Sequence, residues 1–159
     1  MKKLIICLFL FSFSNLYSSE IKFEKIFDDL NKPWSLSFIN KENVIITEKT
    51  GRLLILNLKN KNINEIKHNL SLISLGQGGL LDVLYRDNTI YVSYSENRGN
   101  WETSTTVAKG IFDKEKIVFK NIFRAEPPID SGYHFGSRLV ISGKHLYVTA
   151  GERGQGMIA

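Results

Sequence analysis

Leu80-Leu81-Asp82-Val83-Leu84-Tyr85-Arg86-Asp87-Asn88-Thr89-Ile90-Tyr91-Val92-Ser93-Tyr94 reads as strand, turn, strand. Apolar, β-branched and aromatic residues fill both runs, and Arg86-Asp87-Asn88 separates them with types that favour a tight reversal. The same grammar lies upstream. Trp34 to Ile39 reads as a strand, Asn40-Lys41-Glu42-Asn43 as a turn and Val44-Ile45-Ile46-Thr47 as a second strand, after which Thr50-Gly51 turns into Arg52 to Leu58. It returns downstream, where Ser142-Gly143-Lys144 joins the run Arg138 to Ile141 to the run His145 to Thr149.

Phe38, Leu84 and Ile141 hold equivalent places at intervals of roughly 50 residues, which suits one four-stranded blade per repeat. Thr103 to Phe112 and Lys116 to Phe123 are expected as the two outer strands of the middle blade. No 3.6-residue periodicity competes with this pattern. The expected class is all-β and the architecture a β-propeller; an open β-sandwich is the rival, and the regular return of one unit disfavours it. Closure of a propeller takes about four to eight blades, so residues 20–159 are expected to form the N-terminal part of a longer domain, an incomplete set of about two to three blades.

Residues 1–19 carry Lys2 and Lys3, then an apolar run from Leu4 to Phe13, then Ser14-Asn15-Leu16-Tyr17-Ser18-Ser19. A basic start, a short apolar stretch and a small-residue exit describe a secretory signal peptide, because the apolar run is too short to span a bilayer. Cleavage is expected after Ser18 or Ser19, giving a periodic-sheet protein that is periplasmic or secreted and meets a membrane only through its export signal. Cys7, the one cysteine of the chain, falls inside that segment, which excludes disulfide and cysteine-metal chemistry from the mature part. Lys and Arg number 21 against 16 Asp and Glu, a net of +5, but the excess is scattered and does not form the basic face that nucleic acid requires.

Ser131-Gly132-Tyr133-His134-Phe135-Gly136-Ser137-Arg138-Leu139 is the stretch with most chemical content. Flanking glycines allow a tight turn and close approach of a ligand, and a histidine at a strand mouth suits proton transfer near neutral pH. A lone histidine is more often a hydrogen-bonded structural residue, and on these grounds both readings stand. Asp82, on an apolar strand, is expected to pair with a backbone N–H or an arginine. Trp101, in the loop from Asn97 to Glu102, is either a platform for a sugar or locally packed. His68 and His145 form no ligand pair with His134 by spacing, so no metal-binding residue is assigned.

His134 and its neighbours belong to a set of five motifs that occur in order. The others are Lys32-Pro33-Trp34-Ser35-Leu36, Thr47-Glu48-Lys49-Thr50-Gly51-Arg52-Leu53, Gly76-Gln77-Gly78-Gly79-Leu80-Leu81-Asp82-Val83 and Gly151-Glu152-Arg153-Gly154. Together they resemble the soluble aldose sugar dehydrogenases of the glucose/sorbosone dehydrogenase type, which use pyrroloquinoline quinone (PQQ). The resemblance implies a six-bladed propeller with PQQ over the central channel. It implies oxidation of an aldose at its anomeric hydroxyl to the lactone, with electrons passing on to an external acceptor. His134 matches the general base that takes the hydroxyl proton while hydride passes to PQQ. Gln77 matches a polar residue at the cofactor or substrate mouth; the other reading, a turn residue in a Gly-rich corner, stands beside it. Arg138, on the strand after His134, can hold either a carboxylate of the cofactor or an acid of a neighbouring blade, and its place four positions past the base favours the structural role; Arg153 lies in a loop equivalent to one that lines the site in relatives. Calcium is implied with PQQ, its ligands expected beyond the end of the chain. The chain alone is expected to be an inactive fragment. The alternative is a non-catalytic secreted propeller that serves as a binding or scaffold module.

Overall fold

A computed structural model describes residues 21–156, so the export segment read in residues 1–19 lies outside the described residues. Eleven strands and no helix organise the described part. The first sheet holds β1 (Pro33–Phe38), β2 (Asn43–Glu48), β3 (Leu53–Asn57), β4 (Ile63–His68) and, at its rim, the two-residue β8 (Lys116–Ile117). The second holds β5 (Leu80–Arg86), β6 (Thr89–Asn97), β7 (Thr103–Ile111) and β9 (Lys120–Arg124). A hairpin of β10 (Gly136–Ser142) and β11 (His145–Ala150) opens a third. The sheets stand side by side as propeller blades and do not close into a ring among the described residues.

The expected hairpins form for the expected reasons. Asp87 and Asn88 both take positive φ, 48° and 59°, as the tight turn between Arg86 and Thr89 demands. The Asn40 side chain accepts the amides of Glu42 and Asn43, each at 2.9 Å, and so closes the β1–β2 turn.

One strand was not foreseen and one expectation needs correction. The segment Ile63–His68, to which the sequence reading assigned no strand, is the outer strand of the first blade; only Ile66 is buried on it, because an outer strand meets water along most of its length. Lys116 to Phe123 is not one strand. Asn69 takes both backbone groups of Phe119, accepting its N–H at 2.7 Å and donating to its carbonyl at 3.1 Å, and this interrupts the run. The part before it pairs in parallel with β4 of the first blade, and the part after it becomes β9.

Both faces of the first blade are apolar. Ile45, Leu53, Ile55 and Ile66 pack against Leu80, Val83, Ile90, Val92 and Tyr94 of the second. Val44, Ile46, Leu54 and Leu56 face the other way, under Phe27, Leu30 and Leu58. Each such side chain stabilises the fold by about 1.5–3 kcal/mol when fully buried. Burial pushes the Tyr94 phenol up to about 12, while its hydroxyl donates to Asn121 at 2.8 Å.

A hydroxyl relay indexes one blade against the next. Thr47 on β2 accepts the Ser35 amide of its own blade at 3.2 Å and donates to the Leu81 carbonyl of the second blade at 2.5 Å. Ser93 on β6 repeats this: it accepts the Asp82 amide at 3.0 Å and donates to the Ser137 carbonyl of the third sheet at 2.6 Å. Thr149 on β11 accepts the Arg138 amide at 3.0 Å. In all three sheets the register shifts at the relay, between Pro33 and Ser35, between Leu80 and Val83, and between Gly136 and Leu139.

Candidate active site

β5 and β10 begin, and β2, β6 and β11 end, at one end of the blades, and the connecting segments gather there. The corner Gly76-Gln77-Gly78-Gly79 meets the segment Ser131 to Phe135. The Gln77 amide donates to the Gly132 carbonyl at 2.7 Å, and Gly76 lies so close that a Cβ on it would stand 2.5 Å from that same oxygen. With φ at 54° as well, the corner has no room for a side chain at Gly76.

His134 sits exposed on this meeting point with φ of 49°, in the left-handed region that a non-glycine residue seldom adopts. Its backbone N–H donates to Gln77 Oε1 at 2.9 Å. Its ring Nδ1 is bonded to Glu152 Oε1. That bond is the largest cause holding the Glu152 carboxyl below its ordinary range, against burial, and the amides of Gly156 and Gly154 add to it. An ionised Glu152 requires the hydrogen on Nδ1, which leaves the lone pair of a neutral ring on Nε2. Among the described residues Nε2 has no protein partner. A carboxylate behind one ring nitrogen and an open lone pair on the other is an arrangement that receives a proton and stabilises the resulting imidazolium.

Of the residues expected to act with His134, Gln77 is beside it. Its Oε1 is committed to the His134 amide, and among the described residues its Nε2 is not bonded to protein, leaving two N–H donors uncommitted on a side chain that meets the His134 backbone. Arg138 bonds its Nη1 to Asp82 Oδ1 at 3.2 Å while two thirds of its side chain, 67%, stays exposed. Asp82 is buried and also accepts Ser35 Oγ at 2.5 Å, the Val83 amide at 3.1 Å and the Leu139 amide at 2.6 Å, so it ties three sheets together. That is the structural pairing expected of it. Trp101 is 71% exposed near the tip of the β6–β7 hairpin, at the same end of the blades.

Arg153 is 6% exposed and turned inward. Its Nε donates to the Tyr133 carbonyl at 2.9 Å, Nη1 to the Thr103 carbonyl at 3.0 Å and Nη2 to Thr103 Oγ1 at 2.5 Å; Nη2 also reaches the Ser131 carbonyl. The guanidinium lies 3.8 Å over the Phe135 ring, and burial pushes it below the usual arginine value. His68 is a satisfied structural residue: Nε2 meets the Gly51 carbonyl at 2.7 Å and Nδ1 accepts the Leu70 amide at 3.3 Å. His145 begins β11 at the opposite end from Ala150, which pairs with Gly136 near the site. Glu152, the partner of the His134 ring, is the candidate site residue that sequence reasoning left without a role. Its signal was the Gly-Glu-Arg-Gly motif, but the partner stands 18 residues upstream and only the hairpin brings the two together.

The family model described as glucose/sorbosone dehydrogenase matches residues 30–159. Aldose sugar dehydrogenase YliI of Escherichia coli (strain K12) is 32% identical over 145 residues, covering 85% of this chain and 39% of that protein. The uncharacterized protein slr1608 of Synechocystis is 30% identical over 150 residues, covering 85% of this chain and 36% of that protein. A crystal structure of the soluble aldose sugar dehydrogenase from Escherichia coli in the apo-form superposes with a TM-score of 0.77 at 32% identity, over 83% of this chain and 41% of that one. The PQQ-bound form of the aldose sugar dehydrogenase from Streptomyces coelicolor shares the fold, with a TM-score of 0.72 at 19% identity over 82% of this chain and 41% of that one. The chain thus spans about two fifths of the length of the curated relatives it matches.

Proposed function

The chain belongs to the glucose/sorbosone dehydrogenase family, and from that membership we propose that it forms part of a PQQ-dependent oxidoreductase that converts an aldose to its lactone. The observation that carries the proposal is the posture of His134: Nδ1 held by Glu152, Nε2 open, and the Gln77 side chain against its backbone.

The residues present fit an oxygen-rich acidic quinone. Gln77 Nε2 offers hydrogen-bond donors at an exposed mouth, and the exposed part of the Arg138 guanidinium offers positive charge on an adjoining strand. When bound, PQQ supplies the acceptor for the hydride that leaves the anomeric carbon. The chain does the rest. His134 Nε2 takes the proton of the anomeric hydroxyl, Glu152 offsets the charge that the ring acquires, and Gln77 orients a sugar or quinone oxygen. Trp101 offers a face on which a sugar ring stacks. Among the described residues no three His, Cys, Asp or Glu side chains converge to hold a metal. No helix of the described part is long and apolar enough to cross a membrane. The export segment read in residues 1–19 supports a site of action outside the cytoplasm, and an external acceptor is proposed to take the electrons.

The test is a chimera in which residues 30–159 replace the matching part of the Escherichia coli relative. Loaded with PQQ and calcium, it is expected to reduce a dye in the presence of aldoses. His134→Ala is expected to keep PQQ binding and lose about 10²- to 10⁴-fold in turnover, the usual worth of a positioned acid-base group. Sugar-independent behaviour with PQQ demonstrably bound would instead favour a non-catalytic binding module.

A further inference from the structure

We infer that Arg153 is a positioning residue for His134, acting from beneath the site rather than as a ligand to the cofactor. The inference rests on the reading of His134 as the base only for its consequence in turnover. The geometry stands by itself.

Four of the five guanidinium N–H donors go to protein oxygens, and the acceptors are chosen by place. The Ser131 and Tyr133 carbonyls belong to the segment that carries His134, whereas both Thr103 acceptors belong to β7 of the second blade. Phe135, the other neighbour of His134, lies under the guanidinium plane, and its own carbonyl accepts Thr105 Oγ1 at 2.6 Å. The residues on both sides of His134 are therefore fastened to one buried fork. Ser131 Oγ closes the circuit by donating to the Arg153 carbonyl at 2.6 Å.

Arg153 itself has a φ of 59°. That left-handed turn accompanies a division of direction: Glu152 reaches out to the imidazole and Arg153 reaches in below it. Two consecutive residues thus hold the same histidine, one by its ring and one by its flanking backbone. None of the oxygens that Arg153 meets is a carboxylate, so a buried cation is kept without a counter-ion. A lysine has three donors on a single nitrogen and could not make the four bonds that Arg153 spreads over three nitrogens, so the planar fork is needed.

The experiment is residue-resolved amide hydrogen exchange on the chain itself, comparing wild type with Arg153→Met and Arg153→Lys. Methionine keeps the apolar volume against Phe135 and removes every donor. The expected result is exchange at least about tenfold faster at the His134 and Gln77 amides, with the amides of β2 and β3 within about twofold of wild type. Unchanged exchange at His134 and Gln77 would overturn the inference. So would a uniform acceleration of all amides, which would make Arg153 a general stabiliser. Should the Arg153 variants fail to fold, Thr103→Val removes one acceptor and is read against the same two outcomes. In the chimera, Arg153→Met is expected to lower kcat with little change in the KM for sugar. A loosened loop with unchanged kcat would count against His134 as the base, and so separates the two ideas.

Discussion

Asp82→Ala removes a side chain that joins all three sheets, and its cost can be worked from its four partners. The Leu139 and Val83 amides, at 2.6 and 3.1 Å, are buried donors that cannot turn away, and each is left unsatisfied at about 1–3 kcal/mol. Ser35 Oγ, at 2.5 Å, can rotate to another acceptor and adds less. Arg138 is 67% exposed, so water replaces its bond at small cost. The total is about 3–5 kcal/mol, a large share of the roughly 5–15 kcal/mol that holds a typical domain. Urea titration followed by far-ultraviolet circular dichroism should show the midpoint lowered by about 2 M with an unchanged slope. Asp82→Asn keeps one acceptor oxygen and should fall between the two. A midpoint for Asp82→Ala within about 0.5 M of wild type would refute the reasoning, because buried amides would then have found other partners at no cost.

Gly151→Ala places a Cβ 1.9 Å from the His134 carbonyl, so the backbone beneath the imidazole must shift. It should cost about 1–3 kcal/mol in urea melts and, in the chimera, about 10²-fold in turnover. Glu96 gives a pH prediction. Burial pushes its carboxyl up, but the Arg124 and Thr106 bonds outweigh this and hold it below the ordinary value of 4.5. A carboxyl lowered in the folded state contributes stability that is present above its unfolded value and is lost as the pH falls through its folded one. Wild type should therefore lose more stability than Glu96→Gln between pH 7 and pH 3, measured as urea midpoints at both values.

What could be read in the chain, and what could not, follows from how far each signal reaches. Asp87-Asn88 and Asn40 act within a few residues, so their turns were visible, and Val44 to Thr47 is buried enough to read as a strand. β4 carries one buried residue, Ile66, and so resembles a loop in composition. The interruption at Phe119 depends on Asn69, fifty residues earlier, and no local pattern announces it. At the site, His134 and Gln77 were conspicuous through their glycines. Their relation was not, because the bond from the His134 amide to Gln77 crosses from one blade's entry to the next. The inward course of Arg153 likewise depends on a left-handed turn at a residue type that gives no hint of one.

The hydroxyl relay gives the sheet array a direction. Each Ser or Thr receives from its own inner strand and gives to the inner strand of the following sheet, from Thr47 to Leu81 and from Ser93 to Ser137. Plug and socket thus differ on the first two units, as on a coupling with a male and a female end. Such units stack in one order and one orientation, and a reversed neighbour would bring two donors or two acceptors together. They are also interchangeable in principle, since each carries the same fitting at the same bulge. A lineage could lengthen, shorten or exchange blades by moving whole modules without redesigning the joint.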